Sequence, residues 1–128
     1  MNIVILMAGS SCDFEEKGYQ YPKYLLEINH EPLIKRVITF VESLNANLTF
    51  IIRKKDNDDF FLKDTLKILC PEANVIMTED VTKGAACSAL YAIDMINNDQ
   101  ELVILNGDQL IKGDLNVAVE DFRARALD

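Results

Sequence analysis

Four short runs of continuously apolar residues, separated by segments with helical periodicity, constrain this chain more than any other feature. They are Asn2 to Met7, Leu48 to Ile52, Asn74 to Met77 and Leu102 to Leu105. A strand with one wet face alternates apolar and polar side chains. An unbroken apolar run is instead a strand covered on both faces, as in a parallel sheet held between helices. Between the first two runs, Leu33, Ile34, Val37, Ile38, Val41 and Leu44 recur at steps of three and four, a stripe that must face a core. Pro32 suits the first turn of that helix.

A second helix is expected to begin after Asn57, carrying Phe61, Leu62, Leu66 and Leu69 and stopping before Pro71. A third follows Gly84 with Ala85, Ala89, Leu90, Ile93 and Ile96, and a fourth runs from Leu115 toward Ala126. The expected fold is therefore α/β: a Rossmann-like three-layer α/β/α arrangement with a mainly parallel sheet. Right-handed crossovers among four such strands commonly give the order 3-2-1-4. Strand one then lies beside strand four, and the loop after Met7 meets the residues after Leu105 at the carboxyl edge, where open α/β sheets bind ligands.

At 128 residues and 49% hydrophobic content, the chain can bury one core, so residues 1–128 are read as a single domain. The net charge of -8 opposes binding to a nucleic-acid backbone, which depends on clustered Lys and Arg. The apolar opening Ile3 to Met7 is too short for a signal peptide or membrane span, so no membrane partner is expected. Cys12, Cys70 and Cys87 follow no metal-ligand or redox spacing and are expected to be free thiols in a reducing cytoplasm, with Cys70 and Cys87 as small core residues.

One connection is unusually long: Ala8 to Glu31 lie between the first strand and its helix. Loops of that length inside a domain are usually functional or a sign of a misassigned element. Leu25 to Ile28 can form a short extended piece, with Asn29 and His30 as a turn. The loop begins Ala8-Gly9-Ser10-Ser11 and contains Tyr21-Pro22-Lys23. Small residues let backbone N–H groups approach phosphates, and a lysine from the same loop supplies a point charge. After strand four, Asn106-Gly107-Asp108-Gln109 offers a carboxylate suited to Mg²⁺, although Asn-Gly-Asp is equally turn chemistry. Lys83-Gly84-Ala85-Ala86 permits close approach by a ribose or base, and serves helix–sheet packing as well.

In order and spacing, Met7-Ala8-Gly9, Pro22-Lys23-Tyr24-Leu25-Leu26-Glu27-Ile28, Pro32-Leu33-Ile34, Gly84-Ala85-Ala86 and Leu105-Asn106-Gly107-Asp108 resemble the sugar-phosphate nucleotidyltransferase family across nearly the whole chain. The resemblance implies that Ala8, Gly9 and Ser10 hold a nucleotide, Lys23 contacts its phosphates, Gly84 and Ala85 lie against the nucleoside, and Asp108 binds Mg²⁺. Lys23 and Asp108 would be the catalytic pair. Glu79 stands where the family often has a base-contacting Gln; it also reads as an exposed helix-entry charge. The implied partners are a nucleoside triphosphate and a phosphorylated acceptor, with pyrophosphate released.

The family's opening motif normally reads Ala-Gly-x-Gly-x-Arg-Phe. Here Ser11 replaces the second Gly and Asp13 replaces the Arg, a change of two charge units beside the triphosphate. Family members also continue beyond the length seen here, so the reading is a domain truncated at its C-terminus, with an exposed sheet edge that promotes homo-oligomer formation. The alternative function is a catalytically inactive nucleotide-binding, regulatory or assembly relative. A dinucleotide oxidoreductase fits less well, because the first turn lacks Gly-x-Gly-x-x-Gly. His30 is expected to be a solvated turn residue, and the run Arg53 to Asp59 a solvated loop and helix start, with acids favoured at the helix N-terminus.

Overall fold

The computed structural model describes residues 1–10, 14 and 16–126. Its sheet has four strands: β1 (Asn2–Met7), β4 (Asn47–Arg53), β5 (Asn74–Thr78) and β6 (Leu102–Asn106). All three pairings are parallel and the spatial order is β5-β4-β1-β6, the expected 3-2-1-4 when only these four strands are counted. The register sets Met7 beside Ile52 and Leu6 beside Asn106. The exits of β1 and β6 therefore emerge side by side.

Helices cover both faces. On one, α1 (Leu33–Glu42) supplies Ile34, Val37, Ile38 and Val41, and α3 (Leu62–Leu69) supplies Leu62 and Leu66. These pack on Ile3, Ile5, Met7, Phe50 and Ile52 in the larger core cluster. On the other, Ala89 of α4 (Ala85–Leu90) and Ala92 sit against Val4, Leu6, Ala8 and Ile51. A fully buried Ile, Leu or Phe contributes about 1.5–3 kcal/mol and an Ala far less, so the α1/α3 face carries most of the apolar stabilisation. That anchors β1 firmly beneath the loop it feeds.

From Lys23 onward the long loop is organised. Lys23–Leu25 form a 3₁₀ turn, and β2 (Glu27–Ile28) pairs antiparallel with β3 (Glu31–Pro32). Asn29 and His30 adopt positive φ values of 53° and 65°, as a two-residue hairpin turn demands. His30 is exposed there, in keeping with its reading as a turn residue.

Four expectations need correction. Asn57 does not precede the second helix: α2 (Lys54–Phe60) already contains it, Phe61 breaks the chain in a left-handed conformation, and α3 restarts at Leu62. Asn57 still caps, because its Oδ1 accepts from the Lys63 N–H at 3.1 Å. The third helix is split into α4 and α5 (Ile93–Ile96), and Leu90 and Ile93 of its apolar stripe are exposed. Cys87 is exposed and Cys70 half-buried, because α4 turns Ser88 and Ala89 inward and leaves Cys87 out of phase. Finally, β1 is buried throughout but β6 is not: Leu102 and Ile104 stand exposed, and only alternate residues turn toward the core. The last helix, α6 (Leu115–Ala124), is capped by Asp114, whose side chain accepts from the Asn116 N–H.

Candidate active site

The carboxyl edge of the sheet holds a cleft of about 240 Å³, lined by Leu6, Gly9, Lys23, Tyr24, Thr82, Gly84, Ala85, Ser88, Asn106, Asp108 and Gln109. Residues from four separated stretches of sequence therefore meet at the exits of β1 and β6. Larger hollows of about 460 and 540 Å³ lie elsewhere. The first is at the amino ends of the strands, around Asn2, Asn47 and Asn74, and the second is an apolar trough between β6 and α6. Ligands of open α/β sheets bind at the carboxyl ends, and of these three hollows the smallest combines a cation, a carboxylate and close-approach glycines there.

At its centre, Lys23 Nζ lies 2.7 Å from the Asp108 carboxylate, with both side chains mostly shielded from solvent. Lys23 also stands over the ring of Tyr24, 5.4 Å from its centroid. Tyr24 is 1% exposed and reaches under the turn after β1. Above all, burial pushes its phenol well above the ordinary tyrosine range; the negative charges of Asp108 and Asp56 add to this, while Arg53 and a hydrogen bond from the Gly9 backbone oppose it.

The glycines do different work. A side chain on Gly9 would place its Cβ 3.8 Å from Lys23 Nζ and 3.9 Å from Tyr24 Oη, so the turn is open toward both. Gly84 has φ 154° and ψ 171°, a region that side-chain-bearing residues rarely enter. Gly107 is held by close approach: its N–H donates to the Leu6 carbonyl at 2.9 Å, and a Cβ there would sit 2.5 Å from Met7 Cγ. That approach turns the chain so that Asp108 follows directly at the cleft.

Of the sequence candidates, the structure brings Gly9, Lys23, Gly84, Ala85 and Asp108 together. Ala8 is fully buried with its methyl in the core, so it can offer only backbone. Ser10 is exposed at the turn. Glu79 stands apart, exposed and paired with Lys54 at 3.3 Å. Ser11, Cys12 and Asp13 lie outside the described residues.

Sequence reasoning did not single out Tyr24, Thr82 or Ser88. The two hydroxyls hydrogen-bond to each other beside Gly84, and Ser88 also contacts the Gly84 carbonyl at 3.3 Å. The spacing of Ser88 four residues beyond Gly84 on a helix was an available signal.

The charged run after β4 also requires correction. Arg53 and Asp56 are not solvated: both are buried, and Arg53 Nε and Nη2 donate to the two Asp56 oxygens at 2.9 and 2.6 Å. The pair lies close enough to Tyr24 for both charges to act on its phenol.

Mg²⁺ takes oxygen ligands, keeps several waters and is commonly held by one or two carboxylates together with substrate phosphates. Among the described residues, no group of three or more His, Cys, Asp or Glu side chains converges, which argues against a cage built by these residues alone. Asp108 fits the shared kind of site. Its carboxylate already faces a cation, and the Asn106 and Gln109 amides, joined at 3.0 Å, supply further polar groups beside it.

Comparison with known proteins agrees with the geometry. The family model described as Nucleotidyl transferase matches residues 3–128. The bifunctional protein GlmU of Methanocaldococcus jannaschii is 28% identical over 116 residues, covering 90% of this chain and 26% of that protein. Two solved structures share the fold. HddC of Yersinia pseudotuberculosis, complexed with GMP-PN, aligns with a TM-score of 0.71 at 18% identity, over 94% of this chain and 53% of its own. The nucleoside-diphosphate-sugar pyrophosphorylase of Vibrio cholerae RC9 aligns at 0.66 and 20%, over 92% of this chain and 53% of its own. This chain thus spans about a quarter of the curated relative and about half of each structural neighbour. With a family model matching from the first strand to the last helix, the chain belongs to the nucleotidyl transferase family.

Proposed function

We propose that the cleft between Gly9, Lys23, Gly84 and Asp108 binds a nucleoside triphosphate with Mg²⁺, and that the protein transfers its nucleoside monophosphate to a sugar phosphate. The observation that carries this reading is the convergence of these four residues, from separate sequence segments, at the joined exits of β1 and β6. The neighbouring HddC structure is complexed with GMP-PN, and the V. cholerae neighbour is a nucleoside-diphosphate-sugar pyrophosphorylase, which supports the substrate class.

In the transfer, an acceptor phosphate oxygen attacks the α-phosphorus and forms the new P–O bond, while the bond to the β-phosphate oxygen breaks and pyrophosphate leaves with the electron pair. Nothing in this step needs a protein nucleophile. Alignment and neutralisation of the phosphates are the main sources of rate. Gly9 would offer backbone N–H, Lys23 would move its charge from Asp108 to the phosphates, and Gly84 with Ala85 would lie against the nucleoside. Asp108 and the phosphates would hold Mg²⁺, whose charge would stabilise the leaving pyrophosphate. A cytoplasmic setting suits these substrates, and no helix among the described residues is long and apolar enough to cross a membrane. The single domain read here would serve the nucleotide, with the acceptor met by further polypeptide of a longer protein or of a second copy.

A second reading, binding without turnover, is favoured by one residue: Asp13 stands at the family's Arg position. Calorimetry with ATP, CTP, GTP and UTP, each with Mg²⁺, together with a pyrophosphate-release assay using sugar 1-phosphates, separates the two. Binding with release supports transfer, and binding alone supports the inert relative. The absence of binding to every nucleotide overturns both.

A further inference from the structure

Tyr24 is out of place for a loop residue. It lies in a connection whose neighbours Tyr19 and Tyr21 are exposed, yet it is among the largest fully buried side chains in the molecule. Its ring carries Lys23 on one face, and its hydroxyl accepts a hydrogen bond from the Gly9 backbone, close enough that a side chain on Gly9 would stand 3.9 Å from Oη. A phenylalanine would fill the same space without burying a hydroxyl, and a buried hydroxyl is costly unless it is hydrogen-bonded. What the hydroxyl adds is a tie from Tyr24 to the Gly9 turn, which lines the cleft with Lys23.

We propose that Tyr24 is a positioning residue, clamping the Gly9 turn through its hydroxyl and the Lys23 ammonium through its ring so that both face one phosphate chain. The inference rests on the nucleotide reading above and deepens it. Lys23 has a flexible, rotamer-rich side chain, and the ring and Asp108 hold it from two directions in the resting state. When phosphates draw Lys23 away from Asp108, the ring contact remains and limits where the ammonium can go. The Gly9 N–H, tied to the tyrosine oxygen, keeps the turn from collapsing onto the vacated space. The buried Arg53–Asp56 pair lies near enough for its charges to act on the tyrosine phenol.

The test uses the native chain, Tyr24→Phe and Tyr24→Leu, with magnesium tripolyphosphate as a probe that needs no knowledge of the base. Tyr24→Phe keeps the ring and removes only the tie to Gly9. It is expected to weaken tripolyphosphate binding roughly three- to ten-fold, the loss of about one hydrogen bond. Its thermal midpoint should stay near the native one, and the Gly9 amide resonance should move in an ¹⁵N–¹H spectrum. Tyr24→Leu, which also removes the ring beneath Lys23, should bind more weakly still if it folds. If Tyr24→Phe binds as the native chain does, or if the Gly9 resonance stays in place, the clamp is refuted and Tyr24 is a core filler only. If the native chain binds neither tripolyphosphate nor ATP, CTP, GTP or UTP with Mg²⁺, the phosphate reading itself fails and the clamp falls with it. Failure of the clamp and failure of its parent reading are therefore distinguishable.

Discussion

Lys23 Nζ lies 2.7 Å from Asp108, joining the loop after β1 to the turn after β6 across the mouth of the cleft. Each residue satisfies the other until a ligand supplies phosphates for the lysine and a cation for the carboxylate. Binding of triphosphate and metal should therefore be mutually dependent. Asp108→Asn is expected to bind tripolyphosphate equally well with and without Mg²⁺, whereas the native chain should bind it more tightly with the metal. Lys23→Ala should weaken binding at least ten-fold in either condition, roughly the loss of one charged hydrogen bond. Calorimetry with and without chelator measures both. An Asp108→Asn variant that keeps the full magnesium effect would place the metal elsewhere.

Gly107 makes the exit of β6 possible. A methyl group at this position would stand 2.5 Å from Met7 Cγ and 3.3 Å from its Sδ, and Met7 is wholly buried. Gly107→Ala should cost about 1–3 kcal/mol by overpacking. Combined with Met7→Ala, it should cost less than the two single changes added together, because each relieves the other. Urea denaturation of the four proteins checks this, and strict additivity would show that the contact does not constrain the turn.

How far the sequence could be read follows from these same residues. The strands and their order were legible because unbroken apolar runs mark the strands of a parallel sheet, although β6 buries only alternate residues of its run, and residues from the segments of Gly9, Lys23, Gly84 and Asp108 meet in one cleft. Arg53 and Asp56 were not legible: a basic and an acidic residue three apart have the same spacing in water as in a core, and only the path of α2 off β4 turns them inward. Tyr24 was hidden for the same reason, since a polar loop shows no periodicity to mark the residue that points in. The break at Tyr91 and Ala92, which splits the third helix, left no proline or glycine to announce it.

The Arg53–Asp56 pair gives a prediction that separates burial from surface charge. Both side chains are at most 10% exposed and the bond is bidentate, so removing one partner leaves the other charge buried. Asp56→Ala should lose about 3–5 kcal/mol, where an exposed pair would lose under about 1. Replacing both, as Arg53→Met with Asp56→Leu, should recover much of that loss. The midpoints of urea unfolding measure this at constant slope. A drop of only a few tenths for Asp56→Ala would mean that water reaches the pair.

Tyr24 makes alkaline stability depend on one group. Its folded-state pKa is raised, chiefly by burial and then by Asp108 and Asp56, so the native state holds the phenol proton after the unfolded state, with its phenol near pH 10, has begun to lose it. The sign follows from linkage: the unfolded state binds fewer protons there, so stability is intact below about pH 10 and falls as pH rises toward the folded value. Between about pH 10 and 12, the native chain should lose stability more steeply than Tyr24→Phe, which has no proton to release at this position. Phenolate absorbance should show the same event, because the signal missing from Tyr24→Phe should appear in the native chain only as it unfolds. If that signal instead appears with the fold intact, by circular dichroism at the same pH, the phenol is open to water and its burial beneath Lys23 is wrong.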